Sequence, residues 1–221
     1  MKITVGFLSV FLFSISAVNA DVMQDVTKLQ QSWAKANYSV EGKAQKEAFE
    51  VLIEQANTVV EANSDSAELL TWRGIINSTY AGVKGGLGAM KYAKASKADL
   101  EKAISIDGDA LSGSAYMSLG VLYYKVPGWP VGFGDDDKAL ELLDKALALS
   151  PEGIDSNYFY ADFLVGQGKS KQAEHYLLKA QQAPSRSGRA LSDKGRQQEI
   201  AVLLAKVQGK LQTKEGNKPF K

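Results

Sequence analysis

The sequence predicts an all-α fold in which helical hairpins stack into a solenoid. Apolar residues recur at three- and four-residue spacings along most of the 221 residues, which is the period of amphipathic helices. No run alternates apolar and polar residues for long enough to indicate a β-strand. Between Tyr116 and Pro151, large and small residues are spaced as in two antiparallel helices in close contact. Because such a hairpin cannot bury its apolar face alone, it needs neighbouring hairpins.

The segment from Tyr116 to Pro151 has the pattern of one tetratricopeptide (TPR) repeat. Its first helix carries the pair Leu119-Gly120, followed by Tyr123. In such repeats small residues lie where the two helices cross closely, and large residues fill the spaces beside them. The second helix supplies the complementary series Ala139, Leu143, Ala146 and Pro151. We therefore predict a TPR-like helical-hairpin solenoid.

Residues 65–187 are interpreted as three degenerate TPR-like repeats. The first repeat has Leu70 and Gly74 in the large and glycine positions. The third repeat has a normal length, with its small and large positions at Ala161, Gly168, Ala173, Leu177 and Ala180. Inserts near 81–96 and 124–134 expand the first two repeats. The second insert contains two prolines and three glycines, which exclude a regular helix there.

Further helices are predicted on both sides of the repeats. Residues 21–64 contain two amphipathic stretches separated near Gly42, and Asp65 or Ser66 is expected to cap the helix that follows. Residues 188–221 are expected to form a capping helix that covers the open end of the stack, followed by a polar tail.

Residues 1–20 have the pattern of a cleaved signal peptide. Lys2 supplies the positive start, an apolar stretch follows, and small residues precede a predicted cleavage site after Ala20. The alternative is a membrane anchor, but the apolar stretch is shorter than the roughly 20 residues that span a bilayer comfortably. We therefore expect a periplasmic or secreted protein.

The composition excludes several classes of function. The chain has no cysteine, which excludes disulfides, thiol catalysis and a lipidated cysteine, so no lipid anchor is expected. The formal net charge of +1 gives no general attraction to nucleic acid. The only histidine, His175, lies in a helix of the third repeat, and one histidine without cysteine makes a zinc site improbable. We expect no cofactor, no metal and no enzymatic activity.

Two short motifs have a chemical and a structural interpretation. The run 135–137 consists of three aspartates. One interpretation is a site for a divalent cation. The interpretation that we favour is that they cap the following helix and interact with its positive end. The glycine-rich run 82–88 resembles a phosphate-binding loop, but no strand precedes it and no Gly-Lys-Ser/Thr sequence follows. A closely packed helix start is the better interpretation.

Candidate binding residues come from the concave face of the predicted repeats and from the second insert. Register places Thr71 and Asp162 on the concave face together with apolar and aromatic residues. The insert aromatics either plug the end of the solenoid or contact a partner, and both interpretations stay open. The predicted site comprises Ile75, Tyr116, Met117, Val121, Tyr124, Trp129, Phe133 and Tyr158.

A clamp for a peptide carboxylate is not predicted. TPR domains of that kind use Lys, Asn and Arg on the concave face. The corresponding positions here hold Thr71, Ile75, Ser118, Asp155 and Phe159, and Asp155 has the wrong sign for an anion. An apolar peptide element or a small hydrophobic ligand fits this lining better.

The chain from 21 onward resembles the T-component family of TPR-associated TRAP transporters, the TatT-like periplasmic proteins. The resemblance is strongest across 119–130, through Asp135-Asp136, and again across 155–160. The layout of the inserts is also similar to the TPR domain of regulator of microtubule dynamics proteins, whose localisation does not fit a signal peptide. The first resemblance implies a periplasmic accessory protein that associates with itself and with a solute-binding partner. It also implies an apolar channel or groove for a hydrophobic solute.

Two functional hypotheses follow. The first is a non-enzymatic exported TPR protein that binds a protein partner, as an accessory component of a TRAP transporter. The second is a soluble carrier that encloses a lipid or other hydrophobic ligand between the repeats and the terminal helices.

Overall fold

The structure is a computed structural model that describes residues 11–86 and 88–216. Within these residues the chain forms nine helices and no strand, which confirms the all-α prediction. The helices are α1 (Phe11–Tyr38), α2 (Gly42–Ala62), α3 (Ala67–Lys84), α4 (Ala89–Asp107), α5 (Ala110–Lys125), α6 (Asp136–Leu149), α7 (Ile154–Gly166), α8 (Ser170–Gln182) and α9 (Ala190–Gly216).

Three helical hairpins form the centre of the molecule, and their crossings explain the small residues of the sequence pattern. The hairpins are α3 with α4, α5 with α6, and α7 with α8. A Cβ atom at Gly74 would lie 2.7 Å from Cγ of Leu100, and one at Gly120 would lie 2.9 Å from Cγ of Leu143. Only glycine therefore permits these crossing distances. The arrangement confirms a TPR-like helical fold.

Helix α1 connects the two ends of the stack. It packs against α2, α3 and α9. The indole Nε1 of Trp33 donates a hydrogen bond to the hydroxyl of Thr79 on α3 across 3.0 Å. On α9, a Cβ atom at Gly195 would lie 2.5 Å from the ring of Tyr38. The last helix therefore contacts α1 as well as the third hairpin.

The position predicted for Thr71 on the concave face is wrong. Its side chain is fully buried, and its hydroxyl donates to the carbonyl of Ala67 across 2.7 Å. The next residue, Trp72, packs edge-on against Trp33 of α1 with 6.1 Å between ring centroids. This part of α3 therefore belongs to the core, because α1 packs along it.

The two inserts differ in structure. Most of 81–96 is helical, because α3 continues to Lys84 and α4 begins at Ala89. The second insert is a loop from Val126 to Asp135. Asp135 ends this loop and caps α6 by accepting a hydrogen bond from the Lys138 amide across 3.0 Å, as the capping interpretation predicts. Ser66 caps α3 in the same way, through the Leu69 amide.

A left-handed turn opens α5. Leu111, Ser112 and Gly113 have φ values of 50°, 55° and 76°, in the region that disfavours side chains with a Cβ atom. Two of these three residues are not glycine. Backbone strain is therefore concentrated at the start of α5.

The predicted signal peptide falls partly outside the described residues, because residues 1–10 are not described. Residues 11–20 form the first turns of α1. Among the helices that the structure describes, none is both long enough and apolar enough to span a membrane.

Candidate functional site

A cavity of about 570 Å³ opens between α1, α3, α4, α5, α7 and α9. We call it the larger cavity, to distinguish it from a second cavity of about 250 Å³ that is described below. Val121 and Lys125 lie on one face of α5, and Tyr158 and Asp162 lie on one face of α7, because residues four apart share a helix face. The rest of the wall is largely apolar and includes Met90, Leu122, Pro127 and Phe159. The polar lining residues come from α1, α3, α5, α7 and α9.

The first polar group of this wall is centred on Asp162. Its Oδ2 accepts a hydrogen bond from the hydroxyl of Tyr124 at 2.5 Å and pairs with Nζ of Lys125 at 2.7 Å. The same Lys125 Nζ lies 4.7 Å from the centroid of the Tyr124 ring. Burial, and then the charge of Asp162, raise the pKa of Tyr124. The phenol therefore stays protonated and continues to donate to Asp162.

Arg196 of α9 forms the second polar group. Its guanidinium lies 4.5 Å and 4.4 Å from the ring centroids of Tyr158 and Phe159, and it also pairs with Glu199. Burial raises the pKa of Tyr158 to about 12, although the charge of Arg196 opposes the shift. The aromatic pair on α7 is thus fixed against a charged residue of the last helix.

Asp155 connects this wall to the segment between α8 and α9. Its Oδ1 accepts a hydrogen bond from Nε of Arg196 at 2.8 Å, and its Oδ2 accepts one from Arg186 at 2.5 Å. Burial alone would raise the pKa of Asp155, but Arg196 and then Arg186 outweigh it and hold the pKa below its ordinary value. The carboxylate at this concave-face position is therefore neutralised by two arginines. The repeat pattern did not predict these arginines, because they lie outside the repeat register. The signal in the sequence that could have indicated them is the presence of three arginines within 186–196.

A smaller cavity of about 250 Å³ lies between α1, α3, α5, α6, α7 and the segment before α9. Met117 lines it, together with Trp72 of α3, Leu111 of the left-handed turn, and Arg186 and Arg189. Asp155 lines this cavity, whereas its partner Arg196 lines the larger one. The Asp155–Arg196 ion pair thus separates the two cavities.

The eight residues predicted for the site are not all in one place. Val121 and Tyr158 line the larger cavity, Tyr124 adjoins it through Asp162, and Met117 lines the smaller cavity. Ile75 is half-buried and packs against the main hydrophobic core.

Tyr116 is not among the residues that line either cavity. Its ring packs so closely against Gly108 that a Cβ atom there would collide with the tyrosine hydroxyl. Nζ of Lys145 lies 5.7 Å from the centroid of the same ring. Tyr116 therefore belongs to the contact between the first and second hairpins and lies apart from the other predicted residues.

The two insert aromatics have different environments. The ring of Phe133 is half-buried and packs edge-on against Tyr123 with 5.6 Å between centroids. Trp129 is 90% exposed, and Val131 nearby is 69% exposed. The loop starts at the rim of the larger cavity, because Val126 lines that cavity.

Main-chain hydrogen bonds hold this loop in a compact form. The Gly134 amide donates to the Pro127 carbonyl at 3.0 Å, and the Asp135 amide donates to the Tyr123 carbonyl at 2.9 Å. A Cβ atom at Gly134 would collide with the carbonyl oxygen of Val126. Trp129 is therefore presented to solvent by a well-connected loop at the edge of the cavity.

Groups with catalytic or metal-binding chemistry are scattered. His175 is exposed on α8 and packs edge-on against Tyr176 with 5.1 Å between centroids. In the part of the chain that the structure describes, no group of three or more histidine or carboxylate side chains is arranged to hold a metal ion.

No protein-family model matches the chain, and no curated protein resembles it significantly. Two solved structures described as MamA are similar to it, each at 18% sequence identity. One covers 79% of this chain and 95% of its own length with a TM-score of 0.43. The other covers 90% and 98% with a TM-score of 0.44. The TPR-like assignment rests on the chain's own helical hairpins and crossing glycines.

Proposed function

We propose that this chain is a non-enzymatic, exported TPR-like protein that binds a protein partner through the Trp129 loop and the adjoining rim of the larger cavity. The observation that carries the proposal is the 90% exposure of Trp129 on a hydrogen-bonded loop. A large aromatic side chain is costly to leave in water, and tryptophan is enriched among the residues that dominate binding energy at interfaces. Because the loop is already ordered, binding would lose little conformational entropy.

The finer proposal is that the partner is a periplasmic solute-binding protein and that the chain is an accessory component of a TRAP transporter. The resemblance of 119–130 and 155–160 to the T-component family supports it. The first of these segments includes the root of the loop and Trp129 itself. Self-association is part of the same expectation. Export rests on the signal-peptide pattern of 1–20 and is tested by N-terminal sequencing of the protein from its host.

The experiment compares wild type with Trp129→Ala by crosslinking in the native host, affinity capture and identification of the retained proteins. Val202→Ala is the control, because Val202 is 72% exposed on α9 and does not line the larger cavity. The expected result is one partner that wild type and Val202→Ala retain and Trp129→Ala loses. Retention of the same proteins by all three overturns the assignment of the loop.

The identity of a captured partner tests the finer proposal separately. A solute-binding protein lost with Trp129→Ala supports the transporter role. Capture of a partner of another kind supports the proposal that the loop binds a protein but rejects the assignment to a TRAP transporter.

The larger cavity favours a second candidate, a carrier of a hydrophobic ligand. Its volume of about 570 Å³ lies within the range of small-molecule pockets, about 300–1,000 Å³, and its wall is largely apolar. Native mass spectrometry of protein purified from its host should then show bound cargo. Val121→Trp would fill the cavity and should lose the cargo, whereas Val202→Trp on the exposed face of α9 should keep it. An empty wild-type protein contradicts the carrier.

A further inference from the structure

The smaller cavity contains a cation, Arg189, that forms no direct salt bridge among the residues that the structure describes. Arg186 pairs with Asp155 and Asp193, and Arg196 pairs with Asp155 and Glu199. Arg189 forms no ion pair with any side chain that the structure describes, and its Nε is buried without a hydrogen-bond acceptor. Arginine has five N–H donors and remains charged at physiological pH. Its Nε is therefore left without an acceptor by the residues that the structure describes.

A second donor beside Arg189 is also unsatisfied. Trp72 is only 4% exposed, and its indole Nε1 is buried without an acceptor. The guanidinium of Arg189 lies 5.4 Å from the centroid of the Trp72 ring, so the two groups are neighbours on one wall. A buried N–H without an acceptor is destabilising, because the group has lost its hydrogen bond to water. An acceptor that reached both groups would recover that free energy.

The remaining wall limits the size and chemistry of a ligand. The charged side chains that line the cavity are Arg186, Arg189 and Asp155, so positive charge exceeds negative charge by one. Leu111 and Met117 supply apolar surface to the same cavity. The volume of about 250 Å³ is just below the range of drug-sized pockets. These properties suit a small anion with a short hydrocarbon body.

We infer that the smaller cavity binds a carboxylate group, with Arg189 as its charged donor and the indole N–H of Trp72 beside it. Planar carboxylates match the paired donors of a guanidinium, and such charge-assisted hydrogen bonds are about twice as strong as neutral ones. Arg186 and Asp155 complete the wall but are already paired with each other. The site is distinct from the Trp129 loop and from the larger cavity, and it does not depend on the function proposed for them.

The indole N–H signals in a ¹H–¹⁵N correlation spectrum of the purified protein test this inference. The sequence has three tryptophans, and Trp72→Phe identifies the relevant signal. Trp33 already donates to Thr79 and Trp129 is exposed, so both serve as internal references. Butanoate is the probe and butanamide is its neutral control. At about 10 mM, a ligand with a Kd of about 1 mM occupies roughly nine-tenths of the sites.

Butanoate is expected to shift the Trp72 signal while butanamide does not. Arg189→Gln should weaken butanoate binding about tenfold or more, because it removes the charged donor. That variant should fold, since Arg189 holds no ion pair. Lys171→Gln removes the same charge from the exposed face of α8 and should bind as wild type does. An equal shift with butanamide, or full binding by Arg189→Gln, overturns the inference.

A peptide C-terminus carries the same group as a free small acid. A tetrapeptide with a free C-terminus and its amidated form are therefore titrated in parallel. A Trp72 shift with either carboxylate supports the site, and the tighter of the two identifies the source. A response to neither carboxylate overturns the inference.

Discussion

Nε of Arg196 donates a hydrogen bond to Oδ1 of Asp155 across 2.8 Å, although the two residues are 41 positions apart in the sequence. The bond joins α9 to the start of α7, and Arg186 joins the same carboxylate from the segment between α8 and α9. Because Asp155 lines the smaller cavity and Arg196 lines the larger one, the shape of both depends on this contact. The same contact therefore holds α9 against the third hairpin and contributes to the walls of both cavities.

The first prediction concerns the loss of this carboxylate. Asp155→Asn is expected to lower the free energy of unfolding by about 3 kcal/mol, because it leaves two largely buried arginines without their shared counterion. Urea unfolding measures the change. Asp21→Asn removes the same charge from an exposed position and should change stability by less than about 0.5 kcal/mol. Equal losses in the two variants would mean that the network does not stabilise the fold.

The second prediction is the pH dependence of that difference. The folded-state pKa of Asp155 lies below its unfolded value of about 3.9, so its contribution is present above pH 4 and is lost as pH falls through the folded pKa. The stability difference between wild type and Asp155→Asn should be constant above about pH 5. At about pH 3 it should be smaller by about 1 kcal/mol. A difference that does not change down to about pH 3 would contradict the assigned direction of the pKa shift.

The third prediction concerns the crossing of the second hairpin. Gly120→Ala would place a Cβ atom 2.9 Å from Leu143 Cγ and 3.2 Å from the Ala139 carbonyl oxygen. Either the helices separate or Leu143 leaves its position, so we expect a loss of about 1–3 kcal/mol in chemical unfolding. Gly209→Ala on α9 is the control, because a Cβ atom there meets nothing within 4 Å. The control should gain up to about 1 kcal/mol from its higher helix propensity.

The hairpins could be predicted from the sequence because their signals are local. Gly120 and Leu143 lie on consecutive helices, and the spacing of small and large residues specifies that crossing. The contact of α1 with α9 has no such signal, since it joins the two ends of the chain through packing alone. For the same reason Thr71 was placed on an open face that α1 in fact helps to bury. The exposure of Trp129 depends on loop hydrogen bonds that composition does not encode.

The fourth prediction tests the contact between the two terminal helices. Gly195→Ala would place a Cβ atom 2.5 Å from two ring atoms of Tyr38, so α1 must move away from α9. Hydrogen exchange in α1 should become faster, and unfolding should require about 1–3 kcal/mol less. Tyr38→Ala removes the ring that causes the clash. In the double variant, Gly195→Ala should therefore cost much less than it does alone, and additive losses would show that the two residues do not interact.

The fifth prediction concerns the left-handed turn that borders the smaller cavity. Ser112 has a φ of 55°, a conformation that costs a residue with a Cβ atom about 1–2 kcal/mol and glycine almost nothing. Ser112→Gly should therefore raise the free energy of unfolding by about 0.5–1 kcal/mol, after the greater freedom of glycine in the unfolded chain is subtracted.

Ser105→Gly is the matched control for the turn. Ser105 is exposed within α4, where glycine should lower stability by about 0.5 kcal/mol. The same substitution is thus expected to have opposite signs at two exposed serines, and thermal or urea unfolding of both variants measures this directly. Destabilisation by Ser112→Gly would show that the turn is not strained. Stabilisation would show that the chain keeps a strained backbone at the wall of the cavity, which Leu111 and Ser112 line together with Arg189.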